Sequence, residues 1–334
     1  MSFRGAVIEQ ETEKGKILQH SAGIRDLEDE FLADNPVTLD VSHSGINYKD
    51  GLALSGKPGV VRASPLIPGI DVVGTVSSSE NDRWAPGDTV ILTGSGLGET
   101  EHGGLAERAR VPAENLVRVP ESLGAERAAA IGTAGLTAML CVLALEDGGI
   151  TPESGDIVVT GAAGGVGSVA IAILNQLGYR VTAVSGRVDQ QGDYLRHLGA
   201  SDIIHRDEFA EAGKPLQKVR WAGAVDSVGS APLANVIAQT SEEGVVAACG
   251  LAAGTDLPSS VMPFILRGVT LRGINSVTQP ASVRERAWER LAADLPIELL
   301  DELTEIITLD EVFVQAEKIL AGHVRGRTVV RLSE

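Results

Sequence analysis

The chain is poor in aromatic side chains: its 334 residues include Phe 5, Tyr 3 and Trp 3. With Gly 39 beside that scarcity, the composition fits an α/β protein with many tight strand-to-helix turns. Cysteine is nearly absent. Cys141 and Cys249 sit in apolar sequence and read as reduced core residues, which excludes a disulfide framework and a four-cysteine metal cluster. Cations are in deficit, with Lys+Arg 28 against Asp+Glu 45 and a net charge of −17. That excludes nucleic acid as an expected partner, because binding it takes clustered cations. An anionic substrate would need a local basic patch. No uninterrupted apolar run reaches the roughly 18 residues of a membrane span. The stretch from Ala128 to Leu145 comes nearest and is broken by Gly132, Thr133, Gly135 and Thr137. No basic stretch followed by an apolar block opens the sequence, so no secretory signal is read and a cytoplasmic location is expected. His20, His43, His102, His197, His205 and His323 are scattered, with no pair at ligand spacing, and no metal site is expected.

What is present is a core-forming majority, 43% hydrophobic residues, enough for one large core or two smaller ones. Residues 1–125 read as β-rich. Short strands are expected at Val37–Ser42, Val72–Ser77, Thr89–Thr93 and Leu105–Val111, parted by Gly, Pro and Asp turns. From there to residue 270 strands and helices alternate. Strands are expected at Ile157–Thr160, Arg180–Ser185, Asp202–His205, Gly223–Val228, Val245–Gly250 and Thr270–Ile274, with helices at Val169–Leu177, Asp193–Leu198 and Leu233–Gln239. This is the βαβ rhythm of a doubly wound parallel sheet. Helices at Val283–Leu291 and Leu309–Leu320 and a strand at Thr328–Leu332 complete the chain.

The run from Val158 to Ser168 is the sharpest signal. A short apolar strand enters a glycine-rich turn, in the register Ala162-x-Gly164-x-x-Gly167, and the turn opens into a helix. Backbone N–H groups at such a helix start, with the helix dipole behind them, cradle a dinucleotide pyrophosphate. Ala163, Gly164, Gly165 and Val166 are the candidate phosphate contacts. At the end of the next strand, NAD sites place an acidic residue for the ribose 2′-hydroxyl, about 20 residues after the glycines. This chain has Ser185-Gly186-Arg187 instead. A guanidinium pairs with a 2′-phosphate where a carboxylate would repel it, so NADPH is the expected cofactor. The alternative is that Arg187 is an ordinary surface charge capping the next helix.

Several further segments occur in order and at family spacing: Gly45-Ile46-Asn47-Tyr48-Lys49-Asp50, Ile67-Pro68-Gly69-Ile70-Asp71, Gly103-Gly104-Leu105-Ala106-Glu107, the run Ile131 to Leu140, Ser185-Gly186-Arg187, and Val261 to Arg267. On these the chain resembles the zinc-independent medium-chain dehydrogenase/reductase family from end to end. It looks most like the acrylyl-CoA reductase branch, also described as quinone oxidoreductase-like. The resemblance implies a GroES-like β-rich catalytic domain, residues 1–125 completed by 271–334. A Rossmann-type NADP-binding domain at 126–270 would be inserted in it. It implies Arg206 as a second 2′-phosphate contact, and Tyr48, Leu251, Ile265 and Ser276 on the nicotinamide side, with simple core packing the alternative for Leu251 and Ile265. Zinc-dependent relatives carry Cys and Gly-His-Glu ligands where this chain has Asn47-Tyr48 and Gly69-Ile70-Asp71.

Without those ligands, the resemblance implies reduction of the C=C bond of acrylyl-CoA to propanoyl-CoA. Asn47 and Tyr48 are the candidate catalytic residues, as donors to a developing enolate or, for Tyr48, as proton source. A turn-forming role for Asn47 and a packing role for Tyr48 against the cofactor stay open. Lys49, Lys57 and Arg62 are candidate contacts for the CoA phosphates, or scattered solvated cations. His102 reads as a loop histidine before a proton relay. A quinone or enone reductase is the competing activity. A nicotinamide-binding regulatory protein without turnover is disfavoured by the acidic charge. The last sheet strand, near Val269–Ile274, is where relatives pair, so a homodimer or homotetramer is expected.

Overall fold

The structure, a computed structural model, describes residues 2–333. It opens on an antiparallel hairpin, β1 (Phe3–Glu13) and β2 (Lys16–Leu27). There follow β3 (Val37–Gly45), α1 (Tyr48–Leu54), β4 (Asp71–Ser79), β5 (Thr89–Thr93), β6 (Arg108–Val111), β7 (Val117–Arg118) and α2 (Gly124–Asp147). Next come β8 (Ile157–Val159), α3 (Gly165–Gln176), β9 (Val181–Ser185), α4 (Val188–His197), β10 (Ala200–His205), β11 (Trp221–Asp226), α5 (Ser230–Gln239), β12 (Thr240–Ala248), α6 (Met262–Arg267) and β13 (Thr270–Gly273). The chain closes with α7 (Ala281–Asp294), α8 (Ile297–Glu302), β14 (Thr304–Thr308), α9 (Val312–Leu320) and β15 (Arg327–Arg331).

The chain falls into two compact units. The first comprises Met1–Thr133, Ser276–Ala292 and Leu300–Glu334; the second comprises Ala134–Asn275 and Ala293–Leu299. In the first unit a seven-stranded sheet runs β14-β15-β3-β4-β5-β7, with β6 on β3. Its strands alternate: Leu39 and Val41 are buried while Asp40 between them is exposed, as a half-buried strand requires. Those inward residues join Val72, Val76, Val90 and Leu92 in one core. Each fully buried aliphatic side chain of this kind contributes roughly 1.5–3 kcal/mol.

The second unit is a six-stranded parallel sheet in the order β10-β9-β8-β11-β12-β13. Its inner strands β8, β9 and β11 are buried throughout, because helices cover both faces of such a sheet. Strand order reverses between β8 and β11, and the carboxyl ends at that switch point are where open α/β sheets bind ligands.

α2 corrects one expectation. At 24 residues it is long and apolar enough to cross a membrane by length and composition, and 89% of its most apolar window is buried within the protein. Gly132, Thr133, Gly135 and Thr137 interrupt the apolar run without keeping the helix from membrane-spanning length and hydropathy. Gly132 only kinks it, at φ 47 and ψ −155.

Candidate functional site

In the second unit, the turn after β8 begins at Gly161 (φ +59), and α3 starts after Gly164. The first-turn amides of α3 have no carbonyl inside the helix to donate to, and an anion is their natural partner. The helix can start this close to the strand only because residue 167 lacks a side chain. A Cβ there would lie 2.4 Å from the Gly161 carbonyl oxygen and 2.7 Å from the Ala162 Cα.

The carboxyl ends of neighbouring strands are fixed by Asp226, fully buried at the end of β11. Its Oδ1 accepts from the Thr160 hydroxyl at 2.6 Å, and its Oδ2 from the amides of Gly229 at 2.8 Å and Val228 at 3.2 Å. Burial pushes its carboxyl above the usual range, against the pull of those donors. The Asp226 carbonyl accepts from the Cys249 amide at 2.8 Å and its thiol at 3.3 Å. Cys141 and Cys249 are both free thiols, and the contact with Cys249 together with burial pushes the Cys141 thiol up.

At the end of β9 the Arg187 amide donates to the Ser185 hydroxyl at 3.2 Å. With the Gln191 amide oxygen turned to the guanidinium, it accepts from Arg187 Nη2 at 2.8 Å and Nε at 3.1 Å, while its nitrogen donates to Ser185 Oγ at 2.8 Å. Arg206, following β10, reaches the same corner: a Cβ on Gly186 would lie 2.6 Å from its Nε. Neither arginine carries a salt bridge among the described residues. Ser185, Gly186, Arg187 and Arg206 thus form one cationic corner.

The first unit has a buried polar centre around Asp71, which is wholly buried at the start of β4. Its Oδ2 accepts from Asn47 Nδ2 at 2.7 Å; its Oδ1 accepts from the Thr133 amide at 2.9 Å and hydroxyl at 2.5 Å. Arg327, 3% exposed, donates to Asn47 Oδ1 at 3.0 Å and to the Ala130 carbonyl at 2.6 Å. Its Nη2 stays 4.0 Å from Asp71 Oδ2 and has no hydrogen-bond partner. Burial pulls the Arg327 guanidinium down, opposed by Asp71 and Asp50.

Asp50 accepts from the amides of Asn47 at 2.8 Å and Ile70 at 2.9 Å, which pins the start of α1. Burial, and then the Asp71 charge, push the Asp50 carboxyl up to about 7. The kink at Gly132 makes room for this centre, since a Cβ there would lie 2.5 Å from Asp71 Oδ2.

Two family models match the chain: the alcohol dehydrogenase GroES-like domain over residues 33–121 and the zinc-binding dehydrogenase over residues 165–293. A probable acrylyl-CoA reductase of Escherichia coli is 51% identical over 97% of this chain and 98% of its own. An acrylyl-CoA reductase of Ruegeria pomeroyi is 49% identical over 98% of each. The crystal structure of the yhdH oxidoreductase from Salmonella enterica in complex with NADP superposes at a TM-score of 0.94, with 50% identity, covering 99% of this chain and 100% of that one. The chain belongs to the medium-chain dehydrogenase/reductase family, in its acrylyl-CoA reductase branch.

The residues of this family member fit a phosphorylated dinucleotide. A turn that a Cβ would fill leads into free helix amides, and Arg187 after β9 and Arg206 after β10, neither with a carboxylate partner among the described residues, meet at one corner. Ser276 is buried in the first unit, whereas Leu251 and Ile265 are 63% and 72% exposed, which removes core packing as their role. Asn47 is buried with both ends of its amide engaged, leaving one N–H uncommitted. Tyr48, the first residue of α1, is 53% exposed.

Of the proposed phosphate contacts, Lys49 donates to Glu99 at 2.7 Å, while Lys57 and Arg62 are exposed. His102 is a loop residue: its Nδ1 accepts from the Ile67 amide at 3.1 Å, its ring lies 5.0 Å from Phe31, and burial pulls its pKa down. Among the described residues no group of three or more His, Cys, Asp or Glu is placed to hold a metal.

Sequence reasoning missed Asp226, Asp50, Thr133 and Arg327. A carboxylate at the end of the strand after the nucleotide βαβ unit was a usable signal for Asp226. Arg327 joins the centre from 256 positions beyond Asp71, with nothing local to betray it.

Proposed function

We propose that this protein reduces the C=C bond of acrylyl-CoA to propanoyl-CoA with NADPH as the hydride source, in the cytoplasm. The observation that carries the cofactor assignment is the corner of Ser185, Gly186, Arg187 and Arg206, which offers two guanidinium groups and no carboxylate. The likeness to acrylyl-CoA reductases at about half identity over nearly the whole chain supports the substrate.

The bound dihydronicotinamide supplies a hydride to the substrate's β-carbon. The chain's own residues do the rest. The amides of Gly165 and Val166, next to Ala163 and Gly164, hold the pyrophosphate, and Arg187 and Arg206 hold the 2′-phosphate. Leu251, Ile265, Ser276 and Tyr48 confine the nicotinamide end. Negative charge then develops on the thioester oxygen, and the uncommitted Asn47 N–H and the Tyr48 hydroxyl donate to it. The Tyr48 hydroxyl holds the proton that the α-carbon takes. The Asp71 centre keeps Asn47 in place throughout, so its amide does not reorganise as charge grows. Lys57 and Arg62 attract the CoA phosphates in an otherwise repelling field. Lys49 shares in this only when Glu99 releases it.

We further propose a homodimer or homotetramer built on the β13 edge. The edge strand β13 is largely exposed beside Val261, Ile265 and Leu266 of α6 and its approach, a combination that a monomer leaves open to pairing.

Pairing of Lys49 with Glu99 and the exposed apolar Leu251 and Ile265 favour a second reading, a quinone or enone reductase. Both readings are tested by following NADPH and NADH oxidation with acrylyl-CoA, longer enoyl-CoAs and simple quinones. Far higher kcat/KM on quinones sinks the CoA reading. Preference for NADH sinks the cofactor assignment.

A further inference from the structure

Arg284, on α7, is 1% exposed. Its Nε donates to the Gln279 carbonyl at 2.9 Å, and its Nη1 to the carbonyl and hydroxyl of Thr93 at 3.0 and 2.9 Å. Its Nη2 donates to the carbonyls of Ser276 at 3.0 Å and Val277 at 2.9 Å, with the Ser95 hydroxyl at 3.4 Å. No carboxylate lies within salt-bridge distance among the described residues. Burial pulls the guanidinium down to about 10, with Asp71 acting against that from a distance, so it stays charged at neutral pH.

A buried cation without a counter-ion is costly. Here the cost is offset by carbonyl and hydroxyl acceptors from two pieces of chain. One is the end of β5. The other, Ser276–Gln279, is outside any helix or strand. Backbone outside helices and strands has no ladder to satisfy its carbonyls, and Ser276 in this segment is buried; one planar fork satisfies three of these carbonyls and so sets their mutual orientation. A lysine offers three donors on a single atom and cannot span the same set.

We propose that Arg284 is a positioning residue for NADPH. By gathering the carbonyls of Ser276, Val277 and Gln279 it fixes the segment that presents Ser276 to the nicotinamide end of the cofactor. This rests on the cofactor reading above. It assigns Arg284 no contact with substrate or cofactor.

The test uses the full-length protein, with Arg284→Ala and Arg284→Lys beside Ser276→Ala. NADPH affinity is read by fluorescence titration, and hydrogen exchange is followed in the cofactor-free protein. Arg284→Ala is expected to weaken NADPH about tenfold, the scale of a lost charged hydrogen bond. It should speed exchange at residues 276–279 while the β8–β12 sheet keeps its protection, and millimolar guanidinium should restore the affinity. Arg284→Lys, which keeps the charge and folds more readily, should fall between. Unchanged NADPH affinity in both Arg284 variants, with weakened affinity in Ser276→Ala, overturns the positioning role and leaves the cofactor reading intact. Unchanged affinity in Ser276→Ala removes the residue the device is meant to place and overturns the proposal from the other side. Wild-type protein that does not bind NADPH defeats the cofactor reading itself.

Discussion

Arg187→Gln removes one guanidinium from the cationic corner without introducing a repelling charge. With the Gln191 amide oxygen turned to the guanidinium, it accepts from two nitrogens of Arg187, at 2.8 and 3.1 Å, and orients the guanidinium before any ligand arrives. Orientation in advance spares the ordering cost that a free arginine would bear on binding. A charge-assisted hydrogen bond to phosphate contributes about 1.5–3 kcal/mol. Arg187 is only partly buried, so solvent screening favours the lower half of that range. At about 1.4 kcal/mol per factor of ten, the loss in kcat/KM for NADPH should be about 10–30-fold. NADH lacks the 2′-phosphate, and its kcat/KM should stay within about twofold. Arg206→Gln should act in the same direction but more weakly, since no described side chain orients Arg206 as Gln191 orients Arg187. The double variant should lose less than the product of the single losses, because both cations serve one phosphate. Initial rates with each cofactor at saturating acrylyl-CoA measure this directly. Equal losses for NADPH and NADH would show that Arg187 supports the fold of the β9–α4 corner and reads no phosphate.

Tyr48→Phe should lower kcat by about 10²–10⁴-fold while leaving the NADPH dissociation constant near its wild-type value; an unchanged kcat in steady-state assays assigns the proton to another group. Gly132→Ala should destabilise by about 2–4 kcal/mol, because the backbone there has φ 47 and the new Cβ would lie 2.5 Å from Asp71 Oδ2. Urea unfolding checks it, and a midpoint equal to wild type refutes the packing argument. Asp50 sets a pH dependence: its carboxyl is raised to about 7 in the fold, from an ordinary value of 3.8. The unfolded chain therefore releases this proton first as pH rises. The contribution of Asp50 is fully present below about pH 4 and is lost progressively up to about pH 7. Thermal unfolding of wild type and Asp50→Asn across that range should show the wild type losing ground to the variant with rising pH. A constant difference between them would mean Asp50 does not titrate there.

How much of this was legible depended on whether the cause was local. The second unit's strands from Ile157 to Gly273 and helices α3, α4 and α5 are legible in kind and order, with α4 and β12 each starting five residues before the expected position, because buried parallel strands are short apolar runs parted by glycine turns. The corner at Ser185–Arg187 was readable for the same reason: one strand end decides it. The hairpin of β1 and β2 was not anticipated. β2 is mostly exposed, with little apolar alternation to mark it. α1 and α6, at 7 and 6 residues, are too short to show a helical period. β14 is a short strand that exists because β15 pairs with it.

The buried centre of the first unit shows the limit most clearly. Asn47 reads in sequence as a lone polar residue before a helix. In the fold, Asp71 and Arg327 converge on it from two distant stretches, and Thr133 joins the centre through Asp71. Asp71 stands at the start of β4, wholly buried. It is the acceptor that ties Asn47 to the kink of α2, while Arg327 of β15 holds the other end of the Asn47 amide, so the electrostatics of this centre are written in long-range pairings. A lone Asn47→Ala substitution therefore removes the partner of a buried carboxylate and of a buried guanidinium together, and its cost to folding has to be measured before any loss of rate is read as chemistry.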